Sequence, residues 1–172
     1  GRRALTVPEL TVIIVNWNAR DFLKSCLGSL QRSMDEGICD VVVVDNASSD
    51  DSREMVRTLF PQVDLIESES NLGFAKGNNL GLSRASTPFV LLLNSDTIVS
   101  EAALGGMLEA IKSRPDIHIL TCRHLDGAGN PLDPTGKFPT LRREFSTLTG
   151  MFKWPVIRWL LDRRRVCVEA GH

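Results

Sequence analysis

The sequence predicts an α/β fold in which a mostly parallel β-sheet is sandwiched between helices. Over the first 122 residues, short and uninterrupted apolar runs alternate with longer segments whose apolar residues recur at helical spacing. The apolar runs lack the polar alternation of a strand with one solvated face, which is typical of strands covered on both sides in parallel sheets. Strand and helix alternation of this kind places helices on both faces of a single sheet.

Individual elements follow from local patterns. Residues 10–15 and 41–44 are continuous apolar runs, and the second consists entirely of valine. Ser48 or Ser49 is predicted to cap the second helix, and Pro61 to end it. Strands are predicted at 10–15, 41–44, 63–66, 89–93 and 117–121, and helices at 20–33, from the cap to 60, 74–84 and 101–113.

Composition narrows the class of protein. A chain of 172 residues with 42% hydrophobic residues suits one compact domain. Its net charge of −1 argues against a nucleic-acid partner. The four cysteines form no C-x-x-C pair, so a zinc site is not expected, and no apolar run is long enough to span a bilayer. The Gly-Arg-Arg start predicts an excised or processed piece of a cytoplasmic protein.

Polar side chains follow three of the predicted strands, at the point where each strand ends. In open parallel sheets, ligands bind beyond the carboxyl ends of the strands. One such residue is ordinary turn chemistry, but three pairs from a single edge are harder to explain in that way, so a shared binding site and separate turns both stay open. The residues are Asn16 and Asn18, Asp45 and Asn46, and Asn94 and Asp96.

Asp96 is the candidate metal ligand. A carboxylate just past a buried strand can coordinate Mg²⁺ or Mn²⁺, which also binds phosphate oxygens and assists a departing diphosphate. The alternative is a helix cap, since Asp96 or Ser100 can begin the next helix. Spacing alone favours the cap.

Asp45 and Lys76 are candidate ligand contacts. The Asp45 carboxylate can accept a hydrogen bond from a base or a ribose hydroxyl. A phosphoacceptor role is discounted, because Ala47 stands where a phosphatase needs a second aspartate and Asn16 stands where response regulators need an acidic residue. Lys76 can reach a phosphate, although a solvated helix lysine is the more common case.

Three glycines, at positions 73, 77 and 81, are spaced by four residues within the helix predicted at 74–84 and the segment leading into it. Such spacing places them on one helix face, where they permit close approach to a sheet or a ligand. Each glycine costs a helix about 1 kcal/mol relative to alanine. Packing or binding is therefore expected to compensate.

Four blocks of sequence closely resemble family 2 glycosyltransferases, in the order and spacing of that family, and the rhamnosyltransferase-like subgroup is the most similar. The later stretch FPTLRR at 138–143 resembles the same subgroup. The blocks are TVIIVNWNARDFLKSCLGSL, VVVVDNASSDDS, NLGFAKGNN and FVLLLNSDTIV.

The resemblance implies a Rossmann-like, A-type glycosyltransferase fold that binds a dTDP- or UDP-sugar donor. Residues 1–122 would form the nucleotide-sugar-binding domain. Asp96 matches the last carboxylate of the family's Asp-x-Asp metal motif, whose first position is Asn94 here, and so implies Mg²⁺ or Mn²⁺ as cofactor. The implied donor-binding residues are Val15, Asn16, Asn18, Asp45, Gly73, Lys76, Asn78 and Asn94.

The resemblance also implies an inverting transfer to a saccharide or lipid-linked acceptor. The family's Glu-Asp pair, whose aspartate is the general base, has no counterpart here. The chain is therefore expected to be truncated on its C-terminal side and to bind donor with little or no transfer. A non-catalytic nucleotide-binding or interaction module is the alternative.

Residues 123–172 are predicted to be a turn-rich excursion, with a hairpin within 126–139, followed by a basic, Trp-containing tail. The tail has two interpretations. It can form an interfacial helix on anionic lipid at the inner face of the membrane, or its apolar residues can pack on the missing half of the domain. The second interpretation is favoured, and the sequence sets no oligomeric state.

Overall fold

The computed structural model describes residues 7–100, 102–122 and 124–132. The chain divides into two units, residues 1–122 and 123–172. Four strands and four helices alternate along the described part of the first unit. They are β1 (Leu10–Asn16), α1 (Arg20–Asp35), β2 (Cys39–Asp45), α2 (Ser52–Leu59), β3 (Asp64–Glu67), α3 (Gly73–Leu82), β4 (Phe89–Asn94) and α4 (Ala103–Ser113).

The four strands form one parallel sheet in the order β3-β2-β1-β4. The chain runs from β1 outward to β2 and β3, and then returns to add β4 on the other side of β1. This reversal creates a topological switch point between β1 and β4. In doubly wound folds, a crevice opens at that point beyond the carboxyl ends of the strands.

Helices cover both faces of the sheet, as the sequence predicts. On one face, leucines of α1 and Met55 and Val56 of α2 pack with alternate residues of β1 and β2 into the larger apolar core, which Leu104 of α4 joins. On the other face, Leu80 of α3 packs against a small cluster around Ile13 and Val44. The opposite placement of α1 and α3 is what right-handed crossovers in opposite directions require.

α3 lies close to the sheet because two of its residues are glycines. An added Cβ at Gly77 would lie 2.9 Å from Val15 Cγ1, and one at Gly81 would lie 2.4 Å from Ile13 Cγ2. The predicted close approach is therefore confirmed for these two positions. Gly73 differs, because it meets nothing within 4 Å and instead begins the helix with a φ of +74°.

β4 is less buried than its sequence predicts. Its residues alternate between partly buried and exposed, and Val90 and Leu92 are 38% and 49% exposed on the face that carries α3. The apolar run FVLLL reads as a strand covered on both faces, but in the described residues α3 lies over β1 and β2. The prediction of a fully buried fourth strand is therefore wrong.

Two local predictions also fail. Residues 117–121 form no strand. The second helix begins at Ser52 with Asp51 at its N-cap, and neither Ser48 nor Ser49 caps it. Both serines instead form hydrogen bonds with Asn18, which lies in the loop after β1 and is distant in the sequence.

The second unit is described only over residues 124–132. There, His124–Leu125 pairs antiparallel with Pro131–Leu132 as β5 and β6. The Asp126 carboxylate accepts hydrogen bonds from the backbone N–H groups of Ala128 and Asn130 and so stabilises the turn. The hairpin begins two residues before the predicted turn-rich stretch. The tail beyond 132 lies outside the described residues, and no helix among those described is long and apolar enough to cross a membrane.

Candidate functional site

The predicted site residues of the first two strands meet at the carboxyl edge of the sheet. Asn16 pairs in register with Asp45 across β1 and β2, and its amide nitrogen donates to Asp45 Oδ2 over 3.2 Å. The same nitrogen lies 3.3 Å from Ser48 Oγ. Both residues are almost completely buried, with Asp45 only 1% exposed. The two strands thus share one polar network.

Asp45 is a buried carboxylate with several donors. Oδ1 accepts from the backbone N–H of Ser48 over 2.9 Å and from Arg53 Nε over 2.6 Å, while Oδ2 accepts from Asn16. Burial raises the pKa of Asp45, but hydrogen bonds from Ser48, Arg53 and Asn16 together hold that pKa below its ordinary value. The carboxylate is therefore ionised at neutral pH, and it organises the surrounding loops.

The loop after β1 is tied to the loop after β2. The backbone N–H of Asn18 donates to Ser48 Oγ over 3.0 Å, and Asn18 Oδ1 accepts from the backbone N–H of Ser49 over 2.7 Å. Asn18 and Ala47 have positive φ values of 50° and 60°. Left-handed backbone costs alanine about 1–2 kcal/mol, whereas asparagine tolerates it, so the hydrogen bonds around Ala47 hold the loop after β2 in an unfavourable conformation.

Two buried amide oxygens in this region, Asn16 Oδ1 and Asn46 Oδ1, have no hydrogen-bond partner among the described residues. The orientation of each amide is fixed, because its nitrogen faces an acceptor that has no proton to give. Asn16 faces the Asp45 carboxylate, and Asn46 donates to the backbone carbonyl of Gly73 over 3.2 Å. An unpaired buried acceptor costs about 1–3 kcal/mol, so such atoms mark a site rather than an ordinary turn.

The third strand end lies beside the first, across the switch point. Asn94 pairs in register with Val15, and Asn94 and Asp96 are both exposed. The loop after β4 is anchored to α1, because the Cys26 thiol donates to the Asn94 carbonyl over 3.7 Å and Ser29 Oγ accepts from the backbone N–H of Val99 over 3.0 Å. Burial, with the nearby charge of Asp96, raises the pKa of Cys26 to about 12. That thiol is a structural group.

The capping alternative for Asp96 is not observed. α4 begins at Ala103 with Ala102 at its N-cap, and no side chain caps it. Asp96 is therefore free of that role and exposed beside Asn94. Within 7–100, 102–122 and 124–132, no three His, Cys, Asp or Glu residues group into a metal site. One carboxylate and one amide suit an ion that takes its other ligands from phosphate and water, as Mg²⁺ does.

The α3 residues of the predicted site are distributed differently. Gly73 joins the network through its carbonyl, which accepts from Asn46. Lys76 is exposed in the first turn of α3. Asn78 is 4% exposed, and its amide nitrogen donates to the Phe74 carbonyl of the same helix over 3.0 Å. Asn78 therefore helps to fix the start of α3.

Three participants were not nominated from the sequence. Arg53, Ser48 and Trp17 have no distinguishing local motif. Arg53 is the cation that pairs with Asp45, and its position in the first turn of α2 becomes significant only once that helix is placed against β2 and β3. Trp17 stands between two site residues and is 57% exposed. The position of this tryptophan between two polar residues was the one signal that the sequence offered.

Fold and site place the chain in the doubly wound, Rossmann-like class of α/β proteins. A family model described as Glycosyl transferase family 2 matches residues 11–161. The chain belongs to that family.

The curated relatives include a polysaccharide synthase and a glucosyltransferase. Poly-beta-1,6-N-acetyl-D-glucosamine synthase of Staphylococcus aureus is 26% identical over 151 residues, which cover 84% of this chain and 34% of the synthase. A Campylobacter jejuni GalNAc(5)-diNAcBac-PP-undecaprenol beta-1,3-glucosyltransferase is 30% identical over 107 residues, or 60% of this chain and 34% of that enzyme. The chain therefore spans about a third of the length of these relatives.

Among solved structures, S. aureus TarS 1-349 in complex with UDP is similar, with 25% identity and a TM-score of 0.57 over 62% of this chain and 33% of TarS. A mannosyltransferase from Pyrobaculum calidifontis, in complex with GDP-Man and Mn²⁺, has a TM-score of 0.56 over 62% of this chain and 33% of its own at 24% identity, and so supports the fold alone. The A-type glycosyltransferase fold predicted from the sequence is confirmed. The rhamnosyltransferase-like subgroup stays a prediction.

Acidification is expected to remove the contribution of Asp45 to stability. The pKa of this carboxyl is lowered on folding, so its contribution is complete above the ordinary value of 3.8 and is lost as the pH falls through the lower value of the folded state. Urea unfolding of the wild type and of Asp45→Asn at pH 7 and pH 3 measures this contribution. The difference between the two proteins should shrink at pH 3. A difference that is equal at both pH values would show that Asp45 does not titrate in this way.

Proposed function

We propose that this chain is the donor-binding part of an inverting, metal-dependent glycosyltransferase that uses a UDP- or dTDP-sugar. The observation that carries the proposal is the shared carboxyl edge. The ionised Asp45–Asn16 network lies on one side of the switch point, and Asn94 and Asp96 lie beside it across β1. In that arrangement, the buried polar residues Asn16 and Asp45 and the exposed residues Asn94 and Asp96 border the same crevice.

The nucleoside is assigned to the β1 and β2 side of the crevice. The free Asn16 and Asn46 amide oxygens can accept only N–H or O–H donors. A uracil or thymine base offers an N–H, and a ribose offers hydroxyls. The exposed Trp17 ring provides an apolar surface next to these groups. The similar TarS structure in complex with UDP supports a uridine nucleotide as the first donor to test.

The diphosphate is assigned to the Asp96 side. An Mg²⁺ or Mn²⁺ ion held there would neutralise charge on the leaving nucleoside diphosphate. Asp96 provides the protein carboxylate for it, and Asn94 provides an amide oxygen of the kind that hard cations accept. Lys76, exposed at the start of α3, is assigned to the phosphates as well. The acceptor is proposed to be a polysaccharide or a lipid-linked saccharide, in keeping with the relatives in cell-wall synthesis.

Calorimetry with UDP and dTDP, each with and without Mn²⁺, tests this proposal. The wild-type chain is expected to bind at least one nucleotide, and Mn²⁺ is expected to tighten the binding. Replacing Asp96 by Asn should remove most of the metal-dependent gain, about tenfold in affinity, because one charged ligand is lost.

The matched control is Asp40→Asn. Asp40 is an exposed aspartate at the opposite end of β2, so its loss should leave the gain unchanged. A folded wild-type chain that binds neither nucleotide with Mn²⁺ would refute the proposal. An Asp96→Asn chain with the full metal-dependent gain would refute the assignment of the metal.

A further inference from the structure

Arg53 contacts residues at the ends of β2 and β3. It is the cation bonded to the buried Asp45 carboxylate, with Nε 2.6 Å from Oδ1. Its Nη2 donates to the Ser68 carbonyl over 3.3 Å, and its Nη1 lies 3.8 Å from the Glu67 carboxylate. Arg53 therefore joins α2 to the ends of β2 and β3, while 30% of its side chain stays exposed.

The effect of this contact passes through Asp45 to the crevice. An ionised carboxylate accepts from Asn16, Ser48 and Arg53 more strongly than a protonated one, which has less acceptor capacity and must also place its own proton. The hydrogen bond from Asn16 Nδ2 to Asp45 sets the orientation of the Asn16 amide, and so the direction of its unpaired Oδ1. The hydrogen bond from the Ser48 backbone N–H to Asp45 holds the loop after β2. In that loop, the Ser48 hydroxyl accepts from the Asn18 backbone N–H.

The loop after β2, which is joined in this way to the loop after β1, carries backbone strain, since Ala47 has a positive φ. Strained conformations persist only where the surroundings fix them. An unpaired Asp45 carboxylate, buried to 99%, would be costly, and protonation or outward movement would relieve that cost. In either case the loop after β2 would lose the bonds that hold its unfavourable conformation.

We infer that Arg53 is a positioning residue for nucleotide binding, which acts by keeping Asp45 ionised and in place beneath the two loops. The inference rests on the proposed function, because the loops matter only if the crevice takes a nucleotide. It assigns a role to a residue that need not touch the ligand. Its consequence is that nucleotide affinity without Arg53 should depend on pH more steeply than wild-type affinity does.

The charged residues around Asp45 determine how its pKa responds to the loss of Arg53. Glu67 pairs in register with Asp45 on β3, and Asp50 lies within electrostatic reach of the Asp45 charge. β1 contributes the neutral Asn16. Arg53 pairs with Asp45, and both Arg53 and Arg57 pair with Glu67. Without Arg53, the bonds from Ser48 and Asn16 still lower the pKa of Asp45, but one of the bonds that lower it is lost. That pKa therefore rises, and the site weakens as the pH falls.

The test measures UDP affinity with Mn²⁺ by calorimetry from pH 8 to pH 5.5, using the whole 172-residue chain. Arg53→Gln removes the charge, and Arg53→Lys restores it without the fork geometry of the guanidinium. Arg57→Gln is the matched control, because Arg57 stands one turn further along α2 and pairs with Glu67 and Glu54 but not with Asp45. Amide NMR dispersion checks that each variant is folded.

Arg53→Gln is expected to lower UDP affinity about tenfold at pH 8, the loss of one charged hydrogen bond, and further at pH 5.5. The terminal phosphate of UDP itself titrates at about pH 6, so each variant is compared with the wild type at the same pH. Arg57→Gln should follow the wild-type profile, and Arg53→Lys should fall between. A folded Arg53→Gln chain with the affinity and pH profile of the wild type overturns the inference alone. A wild type that binds no nucleotide overturns the proposed function and this inference with it. If Arg53→Gln does not fold, the uncharged Arg53→Met takes its place, and a folded Arg53→Met chain with the affinity and pH profile of the wild type overturns the inference.

Discussion

Replacing Asp45 by alanine is expected to lower the free energy of unfolding by about 3 kcal/mol and to abolish nucleotide binding. The substitution leaves the Arg53 guanidinium without its anion and the Ser48 N–H and Asn16 amide without their acceptor. Removing one member of a buried ion pair costs about 3–5 kcal/mol, and the partial exposure of Arg53 places this case at the lower end. Chemical denaturation and calorimetry with UDP and Mn²⁺ measure the two effects.

The control for this prediction is Asp40→Ala in the same strand. Asp40 is exposed at the other end of β2, and substitutions at such positions change stability by about 0.5 kcal/mol or less. If both variants lose similar stability, then Asp45 is no more important than a surface aspartate. If Asp45→Ala is less stable but binds UDP normally, then the network stabilises the fold without organising the site.

Replacing Gly81 by alanine is expected to destabilise the chain by about 2 kcal/mol. The added Cβ would lie 2.4 Å from a methyl carbon of Ile13, which is completely buried in the middle of β1. α3 or β1 must then move, and overpacking of this kind costs about 1–3 kcal/mol. The small gain in helix propensity near the end of α3 does not offset that cost. Thermal or chemical denaturation measures the change.

Gly28→Ala provides the opposite expectation with the same chemical change. Gly28 lies inside α1, and an added Cβ there meets nothing within 4 Å. Its gain in helix propensity, up to about 1 kcal/mol, should therefore appear as increased stability. Equal effects at the two glycines would mean that α3 does not approach the sheet as closely as the structure shows.

The order of the elements could be predicted from the sequence because it depends on local patterns. Continuous apolar runs predicted β1, β2 and β4, and helical spacing placed α1 within two residues of its observed end. The failures occur where distant residues compete. Ser48 and Ser49 are good caps in isolation, but the folded chain brings Asn18 to them, and the helix begins later.

The site was predictable only in part for the same reason. Polar residues at strand ends identify the carboxyl edge, since parallel strands end together. The ion pair between Asp45 and Arg53 depends on how α2 packs against β2 and β3, and no spacing rule in the sequence specifies it. The apolar run at 89–93 likewise records hydrophobicity but not which neighbours cover each face of the strand.

The most direct test of the shared crevice is the paramagnetic broadening of amide signals by Mn²⁺, recorded with and without UDP. With UDP, the account predicts selective loss of signals from 94–97, from Trp17 and from the loop at Ser48, while signals at the opposite edge, such as Asp40, remain. Without UDP, the broadening should be weak, because one carboxylate holds the ion poorly. Broadening that is the same with and without UDP, or that centres away from the ends of β1, β2 and β4, would contradict the account.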